Sequence, residues 1–126
     1  MRAIDYGEIS TFSASMGLSG DVVIVRLSGE LDMATAPRLH VQIAEATRLI
    51  SPPRLVIDVQ YLDFCDSSGL NLMVKTLHRV QREGGRLVLS GVGGRFARLL
   101  QVTRLDQTLH SYSTVETAVA ELGGTG

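Results

Sequence analysis

One stretch, residues 54–83, constrains the fold more than any other part of the chain. It opens with a short, mostly apolar and β-branched run at residues 55–59, which is typical of a strand buried on both faces. Apolar residues then recur at intervals of three and four, which predicts a helix with one buried stripe. These apolar positions are Leu70, Met73, Val74, Leu77 and Val80. A strand followed directly by a helix is the unit from which parallel sheets are built.

The link between that strand and that helix is Asp-Ser-Ser-Gly, residues 66–69. Asp66 is a suitable N-cap, because a short carboxylate accepts hydrogen bonds from the first free N–H groups of a helix. Ser67 and Ser68 therefore fall in or beside the first turn, where the helix dipole is positive and where ligands collect at the carboxyl ends of strands. A hydroxyl here can carry a phosphate with little strain, because the helix N–H groups are expected to donate to the anion.

Before and after this unit the chain alternates between strand and helix patterns. The predicted order is two strands, then helix, strand, helix, strand, helix, strand and helix, which implies helices packed on a largely parallel sheet with one antiparallel edge strand. Residues 17–20 are expected to form a turn after the first strand, and residues 29–32 are expected to end the second. Besides residues 55–59, the predicted strands are residues 9–16, 22–27, 86–90 and 108–112.

The helix ends are predicted from caps and breakers. Thr35 is expected to cap the first helix, which the Ser-Pro-Pro sequence at 51–53 ends, and glycines 84–85 end the central helix. Ser113 and Glu116 have the spacing of a capping box at the start of the last helix. Outside the central helix, the side chains predicted to face the core are Leu39, Ile43, Ala46, Ile50, Phe96, Leu99, Leu100, Val102, Val115, Ala118, Val119 and Leu122.

Size and charge narrow the class of protein. A chain of 126 residues suits one domain with a single core, which is expected to occupy residues 8–122 of 1–126. The formal net charge of −1 and the scattered arginines give no basic footprint for nucleic acid. One cysteine, Cys65, excludes an internal disulfide, and the chain has neither a secretion signal nor an apolar run of about 18 residues. We therefore expect a cytoplasmic protein that contacts neither nucleic acid nor membrane directly.

The residue types form no established catalytic or metal-binding constellation. Ser67 lacks the Gly-x-Ser-x-Gly turn of serine hydrolases, and the dispersed histidines and acids form neither a zinc set nor a calcium loop. Residues 91–94 lack the third glycine of a dinucleotide fingerprint and are predicted to be a turn. Asp58 lacks the partners of a response-regulator phosphoacceptor, and Cys65 is expected to be a small buried side chain. We predict no catalytic residue, no metal and no cofactor.

Two motifs together resemble the bacterial anti-sigma factor antagonists of the STAS domain family. The first is Leu-Ser-Gly-Glu-Leu-Asp at residues 27–32, and the second lies within residues 55–70 and contains Leu-Asp-Phe-x-Asp-Ser-Ser-Gly-Leu. With glycines 84–85 they extend the resemblance over nearly all of residues 8–122. The resemblance implies an α/β fold of the STAS type, a mixed sheet of roughly four to five strands covered by about four helices.

The resemblance also implies a switch. In the family, the unphosphorylated protein binds an anti-sigma factor serine kinase and so frees a sigma factor; phosphorylation by that kinase releases the antagonist, and a PP2C-type phosphatase resets it. The phosphate acceptor maps onto Ser67, and Ser68 occupies a position that is Ser or Thr in the family. The aspartate of the first motif maps onto Asp32, which is expected near the acceptor. The residues expected to contact the partner are Asp32, Asp66, Ser67, Ser68, Gly69 and Asn71.

Two departures from the family pattern, Cys65 and Asn71, leave the identity of the partner open. A second hypothesis is a non-enzymatic STAS partner subunit of a stress-signalling scaffold or a lipid-transport complex. A third is an enzyme that acts through Ser67, for which no triad supports the chemistry. The intact Asp-Ser-Ser-Gly favours the first hypothesis. The sequence does not identify the sigma factor, the kinase or the phosphatase, and it leaves open whether Ser68 is a second phosphorylation site and whether a homodimer forms.

Overall fold

A twisted sheet of five strands forms the centre of the protein, for which the computed structural model describes residues 12–123. The sheet order follows the chain order, and the first strand is antiparallel to the second whereas all other neighbours are parallel. This arrangement confirms the predicted parallel sheet with an antiparallel edge. The strands are β1 (Ser13–Ser19), β2 (Val22–Leu31), β3 (Arg54–Cys65), β4 (Arg86–Ser90) and β5 (Ser111–Tyr112).

Four helices cover the two faces of the sheet unequally in the described part of the chain. The first three pack with one face of the sheet in a large apolar cluster, and the fourth packs on the opposite face in a smaller one. Alternation along a strand produces this division, since Val23 and Val25 enter the large cluster while Val22 and Ile24 enter the small one. The helices are α1 (Ala36–Leu49), α2 (Ser67–Arg82), α3 (Gly94–Val102) and α4 (Val115–Gly123), with a 3₁₀ turn at Leu105–Gln107.

The central strand and helix form as predicted. Residues 55–59 are all buried within β3, and α2 buries the predicted stripe except for Val74, which is half-buried against the core. Gly84, with a φ of +79°, follows the end of α2 as expected of a residue that tolerates the left-handed region. The mixed α/β architecture implied by the resemblance is confirmed.

The prediction that residues 29–32 end the second strand is wrong, because β2 continues to Leu31. Gly29 lies inside the strand with a φ of +87°, and the ladder shifts register on either side of it. Its parallel neighbour β3 also runs well beyond Val59, to Cys65, and the long ladder carries β2 past the glycine. The glycine therefore marks an irregularity within a strand rather than its end.

The outer strands also differ from prediction. β1 includes residues 17–19, and the turn lies at Gly20 and Asp21; the predicted strand residues 9–11 lie outside the described part of the chain. β5 is only two residues long. The backbone N–H groups of Thr108 and Leu109 donate to the carbonyl oxygen of Leu105 instead, so a helical turn takes residues that were expected to belong to the strand.

Three details of the helices are corrected by the structure. Thr35 stands at the cap position of α1, but its side-chain oxygen accepts no hydrogen bond from the N–H groups of the helix, and its hydroxyl donates to the carbonyl oxygen of Glu30. The hydroxyl of Thr114 accepts from the backbone N–H of Thr117, and this cap replaces the predicted capping box. Val102 is 74% exposed, because α3 ends there and its last side chain points away from the core. Each of these errors concerns a terminus, where side chains have several competing hydrogen-bond partners.

Candidate functional site

Asp66 caps α2, as the sequence predicted. Its carboxylate oxygen Oδ1 accepts hydrogen bonds from the backbone N–H of Ser68 at 2.8 Å and of Gly69 at 3.2 Å. These bonds satisfy two of the N–H groups that the start of a helix leaves without partners. From the sequence we expected the N–H groups at the start of the helix to donate to a phosphate on the neighbouring serine. Two of these donors are already occupied by Asp66 and are not free to do so.

The two serines at the start of α2 differ in accessibility. Ser67 is exposed, and its hydroxyl has no hydrogen-bond partner among residues 12–123. Ser68 is half-buried and faces the space between α1 and α2. A reagent or a second protein that approaches this end of the sheet therefore reaches the hydroxyl of Ser67 first.

The loop that contains Asp32 lies against the start of α2. The backbone N–H of Asp66 donates to the carbonyl oxygen of Leu31 at 3.0 Å, which ties the end of β2 to the helix start. The carboxylate oxygen Oδ1 of Asp32 accepts from the backbone N–H groups of Ala34 and Thr35, each at 3.0 Å, and so shapes the entry into α1. The structure thus brings the Gly-Glu-Leu-Asp and Asp-Ser-Ser-Gly motifs together at the carboxyl ends of adjacent parallel strands.

Gly69 has a packing role in this site. It is buried, and a Cβ atom added to it would lie 2.6 Å from Cδ2 of Leu31 and 2.9 Å from Sγ of Cys65. Only a residue without a side chain lets α2 approach the end of β2 this closely. Asn71, the other predicted contact residue in the helix, is exposed and lies near Ser68.

A groove with a volume of about 700 Å³ runs from the serines along the space between α1 and α2. We call it the α1–α2 groove. Two of its apolar side chains, Met33 and Val41, are 75% and 66% exposed. Sequence reasoning missed this surface, although Val41 lies off the buried stripe of α1 and was therefore recognisable as an exposed apolar residue. The lining residues are Met33, Ala36, Pro37, His40, Val41, Ile43, Ser68, Asn71, Leu72, Lys75, Thr76 and Arg79.

Cys65 is not a reactive thiol. Burial raises its pKa to about 12, and the neighbouring negative charge of Asp66 adds to the increase. The thiolate is the nucleophilic form of cysteine, so this side chain is almost entirely in the unreactive thiol form near neutral pH. It is a small side chain packed beside Gly69, as predicted, but it is only partly buried where the sequence predicted a buried one.

The remaining candidate residues of the sequence have structural explanations. Asp58 is buried on the α4 face, where its carboxylate accepts from the hydroxyl of Ser90 at 3.2 Å and lies 3.8 Å from Nε of Arg26. Residues 91–93 form the connection between β4 and α3, and Gly94, which was predicted to belong to the same turn, is the first residue of the helix. Within residues 12–123, no three histidine, cysteine or acidic side chains gather as a bound metal ion would require.

We expect the substitution Asp66→Ala to lower the free energy of unfolding by about 1 kcal/mol, because the N–H groups of Ser68 and Gly69 lose their acceptor. Asp66→Asn is the matched control, since an amide oxygen can cap the same N–H groups, and its stability should stay close to that of the parent. Urea unfolding followed by circular dichroism measures both. Equal losses for the two variants would show that charge, and not the cap, is what Asp66 contributes.

Comparison with known proteins identifies the family of this chain. A family model described as "STAS domain" matches residues 14–118. Among curated proteins, the "Anti-sigma F factor antagonist" of Paenibacillus polymyxa is 33% identical over 101 residues, which cover 80% of this chain and 86% of that protein. No helix in the described residues is long and apolar enough to cross a membrane.

Solved structures share the fold. An anti-sigma factor antagonist from Mycobacterium paratuberculosis superposes with a TM-score of 0.79 at 30% identity, covering 90% of this chain and 95% of that one. The anti-sigma factor antagonist SpoIIAA in its unphosphorylated form superposes with a TM-score of 0.74 at 22% identity, covering 89% of this chain and 97% of that one, a likeness that shows the fold. The chain belongs to the STAS domain family, and the relatives that it resembles there are anti-sigma factor antagonists.

Proposed function

We propose that this protein is an anti-sigma factor antagonist that is switched by phosphorylation of Ser67. The unmodified protein binds an anti-sigma factor serine kinase in the cytoplasm and so releases a sigma factor. Transfer of the γ-phosphoryl group of ATP to the hydroxyl of Ser67 ends this binding, and a PP2C-type phosphatase restores it. The protein itself is a binding module and has no catalytic activity. The observation that carries the proposal is that the hydroxyl of Ser67 at the start of α2 is exposed and has no hydrogen-bond partner in the described part of the chain.

The surroundings of Ser67 suit a phosphate acceptor. A kinase must bring the γ-phosphorus of ATP into line with the acceptor oxygen, which requires an accessible hydroxyl. Ser67 is exposed at the end of the sheet, whereas Ser68 is half-buried and its backbone N–H is held by Asp66. The first of the two serines is therefore the better acceptor. No histidine is hydrogen-bonded to the Ser67 hydroxyl in the described part of the chain, which argues against a serine hydrolase.

The charges around Ser67 explain why a phosphate weakens the complex. A phosphoserine carries about −1.5 to −2 charges at neutral pH. Asp66 already occupies the N–H groups of Ser68 and Gly69, so the helix start offers the phosphate few hydrogen-bond donors. The charge of the phosphate must therefore be solvated mainly by water. In the complex, the kinase holds a nucleotide beside this serine, because that is where the phosphoryl group is transferred. The phosphoserine then faces the nucleotide phosphates across an interface that excludes water, and like charges in that position repel.

The test uses the purified protein and each anti-sigma factor kinase encoded by the source bacterium, incubated separately with ATP. Intact mass should increase by one phosphate, and peptide mapping should place it on Ser67. Ser67→Ala should accept no phosphate, while the matched variant Ser68→Ala should still accept one. Full phosphorylation of Ser67→Ala would move the acceptor to Ser68, and no phosphorylation by any of these kinases would overturn the proposal in favour of a STAS partner subunit that is not switched in this way.

A further inference from the structure

We propose that the α1–α2 groove is the docking site for an acidic amphipathic helix of the anti-sigma factor. The inference rests on the proposed function, and it adds the part of the surface that binds the kinase and the chemistry of the segment that the kinase must present. Four properties of the groove carry it: its shape, its charge, its exposed apolar side chains and its position relative to Ser67.

The shape of the groove fits a helix. Both walls are helices, with Met33, Pro37 and Val41 on the α1 side and residues from Ser68 to Arg79 on the α2 side. Among the described residues no strand borders the groove, so an extended peptide would find no backbone edge there to pair with. The eleven-residue step from Ser68 to Arg79 corresponds to about 17 Å of helix, or roughly three turns of a helix lying alongside it.

The charge of the groove selects an acidic partner. Although the chain has a formal net charge of −1, none of the carboxylates within residues 12–123 lines the groove, whereas Lys75 and Arg79 both do. Lys75 has no ion pair among residues 12–123. Arg79 has a single ion pair, 3.5 Å from Glu83 in the next turn of α2, and both of these side chains are nearly half exposed. A surface pair of this kind is weak, so the guanidinium can exchange its partner for a carboxylate of the docked helix.

Apolar side chains supply the contact area between the charged ends. Met33 and Val41 leave most of their surface in water in the free protein, and a docked helix would bury both. Methionine adapts its shape readily to a partner side chain. An amphipathic helix that places its apolar stripe on these residues can at the same time direct acidic residues from one edge of the stripe towards Lys75 and Arg79.

The position of the groove links docking to the switch. Ser68 and Asn71 line the groove at the end where α2 begins, next to the exposed Ser67. Lys75 lies about one helical turn beyond Asn71, and Arg79 lies about one turn beyond Lys75. A kinase whose helix occupies the groove therefore has its active site directed at Ser67. Docking along the groove and phosphorylation at its end involve different side chains, so they are open to separate tests.

The experiment measures the affinity of variants for the kinase that phosphorylates the protein, in a Ser67→Ala background that prevents turnover. Lys75→Glu should weaken binding at least about tenfold, because it places a carboxylate opposite the acidic helix. The matched control is Arg98→Glu, which makes the same change of charge at an exposed cation of α3 outside the groove, and it should change the affinity by less than about threefold.

A second pair of variants tests the apolar contact without altering a cation. Val41→Asp should weaken binding at least about tenfold, whereas Val102→Asp, at an equally exposed valine on α3, should leave it nearly unchanged. Circular dichroism checks that all four variants are folded, as expected for exposed positions. If the groove variants and their controls have equal effects while Ser67→Ala is still bound tightly, the proposed docking site is wrong and the proposed function stands. No binding of Ser67→Ala to any of the kinases would overturn the proposed function and the docking site together.

Discussion

We expect one phosphate on Ser67 to lower the affinity for the anti-sigma factor kinase about a hundredfold or more, because like charges brought together in an interface cost several kcal/mol and every 1.4 kcal/mol is tenfold in affinity. The loss arises at the interface and requires no change of fold. Asp66 already holds the start of α2 in place through the N–H groups of Ser68 and Gly69, so a phosphate added outside this cap leaves the helix intact.

Isothermal titration of the phosphorylated and unmodified proteins measures this loss. Ser67→Ala should bind as tightly as the unmodified protein, and Ser67→Asp should bind more weakly than Ser67→Ala but better than the phosphoprotein, since a carboxylate carries one charge where the phosphate carries nearly two. Backbone amide chemical shifts should change only around residues 66–71 and in the adjoining loop around Asp32. Shift changes spread through the sheet, or a different fold in the phosphorylated protein, would contradict a switch that acts at the interface.

The second large effect concerns the junction after α2. We expect Gly85→Ala to lower the free energy of unfolding by about 3 kcal/mol, because a Cβ atom there would overlap the carbonyl oxygen of Pro53. That carbonyl accepts from the backbone N–H of Arg86 at 2.9 Å, a bond that holds β4 beside β3. Relief of the overlap therefore requires a shift of the backbone where both strands begin, and a flexible side chain cannot absorb it.

Gly17→Ala is the matched control for this substitution, since a Cβ atom at Gly17 has no neighbour within 4 Å and its backbone does not lie in the left-handed region. Its unfolding free energy should change by less than about 0.5 kcal/mol. Urea unfolding curves of the two variants and the parent provide the comparison. If Gly85→Ala unfolds at the same urea concentration as Gly17→Ala, the contact between residue 85 and Pro53 does not limit how closely β3 and β4 approach.

The features predictable from sequence were those decided by a local repeat. The three-and-four spacing from Leu70 to Val80 places α2 correctly, and the β-branched run at 55–59 places β3 at the centre of the sheet. Each of these patterns has one physical solution, because an apolar stripe or run must be buried. The short carboxylate of Asp66 at the helix start was equally decisive, since it accepts hydrogen bonds from two of the N–H groups that a helix start leaves without partners.

The features that sequence reasoning missed depend on pairing between distant segments. Gly29 was interpreted as a strand end because the ladder with β3, which carries β2 on to Leu31, is invisible in a local pattern. The α1–α2 groove was missed for the same reason. Its side chains come from segments about thirty residues apart, and His40 and Asn71 become neighbours in one groove only when the two helices pack on the sheet.

The two faces of the sheet differ in the size of the apolar cluster that the helices bury on them. On the face opposite the serines, α4 buries Ala118 and Leu122 against four strand residues, whereas α1 and α2 rest on the large cluster. α4 buries two residues and α2 buries six, so we expect the amides of α4 to exchange faster than those of α2. For surface-based binding measurements this asymmetry is useful, because attachment through an exposed side chain of α4 places the anchor on the face opposite Ser67 and the groove and leaves the core beneath them undisturbed.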